Sequence, residues 1–187
     1  GRVPIFLLED DWILRSFVDH ARSTSGYDTL KRIVDILVAS VGFLCLLLLT
    51  PLIALLIMLD GGFPILFKQE RVGVSGKPFE LLKFRTMRQD AEEDGKPRLA
   101  VENDERVTKV GKFLRKSHLD ELPQFINVLK GDISMVGPRA ERPEFVDQLQ
   151  QEIPFYRARL FVKPGVTGWA QINYRYASNV EESAIKL

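Results

Sequence analysis

The segment Ser117-His118-Leu119-Asp120-Glu121-Leu122-Pro123-Gln124 sets two carboxylates side by side at the start of an apolar, helically spaced run. Unpaired backbone N–H groups and the helix dipole favour negative charge at such a place. Adjacent carboxylates can hold a hard divalent cation, supply a nucleophile or move a proton. A plainer pattern also fits, because Ser117 with Asp120 matches a capping box. The surroundings favour chemistry. Lys83, Arg85, Arg115, Lys116, Arg139, Arg142, Arg157, Arg159, Lys163 and Arg175 supply cations, several of them beside two Gly-Pro turns that suit oxyanion binding: Val136-Gly137-Pro138-Arg139 and Lys163-Pro164-Gly165-Val166-Thr167-Gly168. Paired acids, bases and a divalent ion are the equipment of phosphoryl transfer, where positioning and charge neutralisation do most of the catalysis.

The chain that must position these groups has 187 residues, is 45% hydrophobic and 27% charged, and carries a formal charge of +1. That suffices for one domain with a core, and near-neutrality argues against nucleic acid as a partner. Cys45 is the only cysteine, which excludes an intrachain disulfide, and His20 and His118 lie too far apart to suggest zinc.

One segment sets the location. From Ile36 to Leu59 no charged residue occurs. As a straight helix this run would reach roughly 36 Å, enough to cross a hydrocarbon core of about 30 Å. Pro51 interrupts it, removing an N–H from the helix ladder and crowding the carbonyl of Leu47. Thr50 can offer its hydroxyl to a freed carbonyl. The pieces on either side, about 22 and 14 Å long, do not span alone. Basic residues flank both ends: Lys31 and Arg32 before, Lys68, Arg71, Lys77, Lys83 and Arg85 after. Cytoplasmic flanks are the basic ones, so both ends read as cytoplasmic. The run is expected to be a re-entrant helix, kinked at Thr50-Pro51 and returning to the face it entered from; a proline-kinked helix that crosses is the competing reading.

Residues 1–29 read as an appendage or linker of a larger protein, since the chain opens on Gly1 rather than Met. The membrane helix takes 30–62 and a catalytic domain on the cytoplasmic face takes 63–187. Ile65–Phe67 and Phe79–Phe84 predict a hairpin around the turn-rich Gly73–Pro78. Helices are expected over Arg106–Lys116, Leu119–Lys130 (ended by Gly131) and Glu144–Gln151, with Pro143 near the start of the last. Asp90–Pro97 and Lys163–Arg175 read as loops. The fold class is α+β: a small, mostly helical catalytic domain with a short β-hairpin and a Pro-kinked re-entrant membrane helix.

Several motifs then combine: Lys31-Arg32-x-x-Asp35, the Pro-broken helix, Gln69-Glu70-Arg71-Val72-Gly73, Lys83-Phe84-Arg85-Thr86-Met87, Leu119-Asp120-Glu121-Leu122-Pro123-Gln124, Asn127-Val128-Leu129-Lys130-Gly131-Asp132, Ser134-Met135-Val136-Gly137-Pro138-Arg139 and Lys163-Pro164-Gly165-Val166-Thr167-Gly168-Trp169-Ala170-Gln171. From about Lys31 to Arg175 the chain resembles the bacterial sugar transferases, monotopic phosphoglycosyl transferases of exopolysaccharide and glycoconjugate synthesis. The resemblance implies a monotopic protein of the bacterial inner (cytoplasmic) membrane with its active site facing the cytoplasm. It implies a Mg²⁺-dependent, two-step transfer of sugar 1-phosphate from a UDP-sugar to polyprenyl (undecaprenyl) phosphate, with UMP released. In that analogy Asp120 is the nucleophile and a Mg²⁺ ligand, Glu121 assists as metal partner or proton handler, and Lys83, Arg115, Arg139 and Arg175 bind phosphate or nucleotide. Arg85, beside Lys83 in the same motif, joins that basic set. Membrane lipid is an expected partner, and so is a second copy in a homodimer. Two departures stand out: Ala140 where the family commonly has Pro after Gly-Pro-Arg, and Thr50-Pro51 where Ser-Pro is frequent. The chain also stops at Leu187, before the aromatic, basic segment usual in the family.

Overall fold

The computed structural model describes residues 25–91, 104–153 and 156–173. Most of the 1–29 appendage, most of the Asp90–Pro97 loop, and Arg175 lie outside the described residues.

The apolar run forms a single helix, α1 (Ser25–Gly61), of 37 residues with Asp28 in its first turn, where a carboxylate complements the helix dipole. It is about 55 Å long, and by length and composition alone it could cross a membrane. The helix runs through Pro51, the position of the expected kink. Pro51 lies on the exposed side, and the Thr50 hydroxyl donates to the Leu46 carbonyl at 2.6 Å. Continuity follows from packing: Leu46 before the proline and Ile53 and Ile57 after it enter one core with Phe84 and Leu114. Asp35, Ala39, Gly42, Leu46, Ile53 and Ile57 are all buried and recur at helical spacing, so one stripe of α1 faces protein along its length. Its other faces expose Leu37, Val41, Leu44, Leu48, Leu52, Leu55 and Leu59.

Each end of α1 is tied to the rest of the chain. Near its start, Arg32 donates to the carbonyls of Val128 and Leu129 at 2.6 and 2.8 Å. One turn on, the Asp35 carboxylate accepts from the Ser134 hydroxyl and the Met135 N–H, both at 3.0 Å, and Lys31 donates to the Ser134 hydroxyl. At the far end, Asp60 accepts from the Val110 N–H at 2.7 Å. Arg85 donates to the carbonyls of Gly61, Gly62 and Phe63, supplying donors that a terminating helix lacks.

Strands β1 (Leu66–Val72) and β2 (Pro78–Phe84) form the antiparallel hairpin, in register from Leu66↔Phe84 to Val72↔Pro78. After α2 (Lys109–Lys116) comes a 3₁₀ turn at Leu119–Glu121, then α3 (Gln124–Lys130), closed by Gly131 at φ 94°, a conformation glycine adopts without strain. The expected single helix over Leu119–Lys130 is thus a turn plus a shorter helix. Strand β3 (Ser134–Val136) pairs in parallel with β4 (Gly165–Thr167), joined by a crossover through α4 (Pro143–Glu152) and a 3₁₀ segment at Tyr156–Phe161. A short α5 (Trp169–Asn173) follows β4. The α+β reading holds, and the stretch read as a loop after Lys163 contains β4 and α5.

Asn127 stitches α3 to the hairpin. Its Oδ1 accepts from the Leu82 N–H at 3.0 Å, and its Nδ2 donates to the Glu80 carbonyl at 2.7 Å, with the side chain 1% exposed. Replacing it with alanine strands two backbone groups, one fully buried. Asn127→Ala is expected to lower stability by about 2–3 kcal/mol, read as a fall in the thermal midpoint in detergent.

Candidate active site

The acid pair is positioned by its apolar neighbours. Leu119 and Leu122 pack against the Leu46, Phe84 and Leu114 cluster, so the turn between them is pinned to the core. His118 enters that turn in the left-handed region, at φ 56°. The capping box that Ser117 and Asp120 could have made is not formed. The Ser117 hydroxyl instead donates to the Phe113 and Leu114 carbonyls, closing α2. The carboxylates are left for other work.

Asp120 is buried, 8% exposed, and among the described residues no basic side chain forms an ion pair with it. Burial, the largest influence, raises its pKa above the ordinary value; Lys83 and Arg115 oppose that, and Glu121 adds to it. Glu121 takes the opposite course. Burial works to raise it, but the Lys83 charge and hydrogen bond, with Arg139 and His118, outweigh burial and hold its pKa low. The Lys83 Nζ to Glu121 Oε1 distance is 2.7 Å. Two adjacent carboxyls with pKa values driven apart mark a site where acid–base roles are divided.

Of the basic residues read from sequence, the structure gathers three. Lys83, from β2, faces both acids. Arg115, from α2, donates through Nε to the Thr86 hydroxyl at 2.9 Å while its charge acts on Asp120. Gly111, one turn earlier, has no room for a Cβ against the Thr86 carbonyl, so α2 lies tightly on the chain leaving β2. Arg139 acts on Glu121. Arg85 does not join them. It is 7% exposed with its guanidinium committed to the carbonyls ending α1, and burial lowers its pKa. Its role here is to hold the exit of α1, sharing the Phe63 carbonyl with the Gln89 amide.

A shallow cleft opens beside Glu121, with Arg71, Lys83, Gln124, Arg139 and Gln171 on its walls. Its far side is built by the two Gly-Pro turns. The Gly137 N–H donates to the Thr167 carbonyl at 2.9 Å, and the Gly165 N–H to the Pro138 carbonyl at 2.8 Å. Cβ atoms at Gly137, Gly165 or Gly168 would strike the opposing backbone. This close approach fixes Arg139 and Gln171 relative to each other. Arg71, Gln124 and Gln171 carry no spacing signal that marks them as site residues; their presence in the recurring motifs is the one hint. Arg71 donates through Nη1 to the Ala140 carbonyl at 2.9 Å. Ala140 is itself buried at the cleft wall.

Among the described residues, no cluster of three or more His, Cys, Asp or Glu side chains gathers. Two carboxylates are what remain for a metal, a donor set suited to Mg²⁺, which binds through one or two carboxylates, substrate phosphates and water.

The chain is 47% identical over 164 residues to the UDP-N-acetylgalactosamine-undecaprenyl-phosphate N-acetylgalactosaminephosphotransferase of Aeromonas hydrophila, covering 86% of this chain and 38% of that protein. It is 50% identical over 147 residues to the UDP-glucose:undecaprenyl-phosphate glucose-1-phosphate transferase of Escherichia coli K12, 77% of this chain and 31% of that one. The enzyme of the same description from Caulobacter vibrioides is 44% identical over 146 residues, 78% and 54%. The chain therefore spans about a third to a half of these relatives' lengths. A family model for bacterial sugar transferases matches residues 26–187, most of the sequence and all of the site described above. The chain belongs to the bacterial sugar transferase family.

Proposed function

We propose that this chain transfers a sugar 1-phosphate from a UDP-sugar to undecaprenyl phosphate through a phosphosugar carried on Asp120. The observation that carries this reading is Asp120 itself: a buried carboxylate without an ion-pair partner among the described residues, beside the Lys83–Glu121 pair and a cationic cleft. In the first step an Asp120 oxygen bonds to the β-phosphorus. The bond from that phosphorus to the bridging oxygen breaks, and the electron pair leaves with UMP. In the second step an oxygen of undecaprenyl phosphate bonds to the same phosphorus, releasing Asp120 and giving the lipid diphosphate sugar. No net proton or electron is required.

Lys83, Arg115 and Arg139 neutralise phosphate charge that would otherwise repel the nucleophile. Glu121, held ionised by Lys83, keeps that lysine aimed at the acid pair. Asp120 and Glu121 would hold Mg²⁺, which supplies further charge neutralisation on the reacting phosphate when bound.

The helix supports a membrane location in which α1 enters and leaves on the cytoplasmic face. One domain grips both its ends, through Arg32 and Asp35 at the start and Asp60 and Arg85 at the finish, while leucines cover the outward faces. A crossing helix would put those two attachments on opposite sides of the bilayer. Such a seat brings a soluble and a lipidic substrate to one cleft.

The test is incubation with a panel of UDP-sugars, with and without undecaprenyl phosphate. Sustained UMP release is expected only with the lipid present, and intact-mass analysis without it should find the protein heavier by one phosphosugar. Steady UMP release without lipid would instead indicate a hydrolase using the same groups.

A further inference from the structure

Two N–H groups in the cleft stand out because they are sealed from solvent and unmatched. Among the described residues neither Arg71 Nε nor Gln171 Nε2 has a hydrogen-bond partner. Both side chains line the same cleft as Lys83, Glu121 and Arg139. A buried donor left unpaired costs about 1–3 kcal/mol, so a pair of them on side chains that line one cleft points to a ligand that brings acceptors.

The charge around them says what kind of acceptor. Arg71, Lys83 and Arg139 line the cleft against one carboxylate, Glu121. Glu141 sits behind Arg71 at 3.9 Å, but it also serves Arg159 at 3.7 Å, so it offsets Arg71 incompletely. Arg71 is accordingly strained electrostatically: burial first, then the nearby charge of Arg139, lower its pKa to about 10. Gln171 is oriented for the same purpose. Its Oε1 accepts from Arg139 Nη1 at 3.5 Å, which leaves the amide N–H₂ as the end available to a ligand. A group with several acceptor oxygens and negative charge satisfies both donors and relieves the Arg71–Arg139 repulsion.

We infer that Arg71 and Gln171 receive the leaving phosphate of the nucleotide sugar, the one that departs with the nucleoside. The inference rests on the transfer reading above and adds to it a second phosphate position, separate from the one beside Asp120. In the transfer step negative charge accumulates on that departing phosphate as its bridging bond breaks. Fixed donors aimed there strengthen their hold as the step proceeds, and so act on kcat as well as on binding.

The experiment measures product inhibition by UMP in the full chain, together with UDP-sugar turnover, for wild type, Gln171→Ala, Gln171→Glu and Arg71→Lys. Among the described residues the Gln171 side chain makes one long hydrogen bond, so its variants are expected to melt like wild type; Arg71→Lys is read only if it does too. Gln171→Ala should raise the UMP inhibition constant about 10-fold, as when a hydrogen bond to a charged group is lost, and lower kcat. Gln171→Glu should weaken UMP several-fold more than the alanine, because a carboxylate repels a phosphate. Equal effects of alanine and glutamate would mean that an uncharged part of the nucleotide sits here, and would overturn the inference. Unchanged UMP inhibition in both Gln171 variants would overturn it as well. If the wild type itself neither releases UMP nor is inhibited by it, the transfer reading falls and this inference falls with it. Active wild type with indifferent Gln171 variants removes the inference alone.

Discussion

Asp120→Ala is expected to abolish sugar-phosphate transfer, by about four to six orders of magnitude, the scale seen when a covalent nucleophile is removed. Among the described residues Glu121 is the neighbouring carboxylate, and it is engaged by Lys83 at 2.7 Å and held at a lowered pKa. The mass shift from bound phosphosugar should vanish with it. Asp120→Asn adds a second readout, thermal stability. Burial raises the folded-state pKa of Asp120 above that of the unfolded chain. Such a group favours folding fully below the unfolded carboxylate pKa, and that contribution is lost as pH rises through the folded value. At neutral pH the buried charge therefore opposes folding. The asparagine variant should be inactive yet melt higher than wild type without Mg²⁺, with the gain shrinking as pH is lowered. An inactive variant that merely unfolds would not separate chemistry from structure; a stabilised and dead one does. Full activity in either variant would remove Asp120 from the mechanism.

Lys83→Met should cut kcat/KM by about 10²- to 10³-fold, as when one donor to a developing phosphate charge is lost. The pH profile carries the sharper prediction. Lys83 lowers the pKa of both acids, being the main influence opposing burial at each. Without it, Asp120 moves further up and Glu121 loses the cation that holds it down. The nucleophile must be ionised, so the acid limb of the rate profile should shift to higher pH, and raising pH should restore part of the lost rate. A uniform loss at every pH would assign Lys83 to phosphate binding alone. Lys83→Arg should recover part of the effect on the limb.

How much of this is readable from residues differs by element, for physical reasons. Leu119 and Leu122 bracket the acids with helical spacing, and that spacing correctly marks the side facing the core. The sequence also suggests a capping box, which does not form, because His118 takes a left-handed conformation and turns Ser117 back onto α2. Sharing a motif with Lys83 makes Arg85 read as part of the basic set, but it lies past the end of β2 at Phe84 and is drawn to the carbonyls at the end of α1. Strand β4 has three residues, too few for alternation, and its pairing depends on glycine-only contacts with Gly137 that lie far off in sequence. Gln171, uncharged and at the end of that stretch, acquires meaning only from what surrounds its amide. Pro51 is legible as a defect in the helix, yet the core that bridges it draws on Phe84 and Leu114, which no local pattern connects to it.

The buried stripe on α1 makes the long apolar helix inseparable from the candidate site. Ala39 belongs to one hydrophobic cluster with Leu81, Val128 and Ile133, and Leu46, Ile53 and Ile57 make up much of another with Phe84 and Leu114. Trimming the helix away to obtain a water-soluble fragment would tear open both clusters and unhook the turn carrying the acids. Solubility engineering has to recolour the outward leucines and leave the inner stripe untouched.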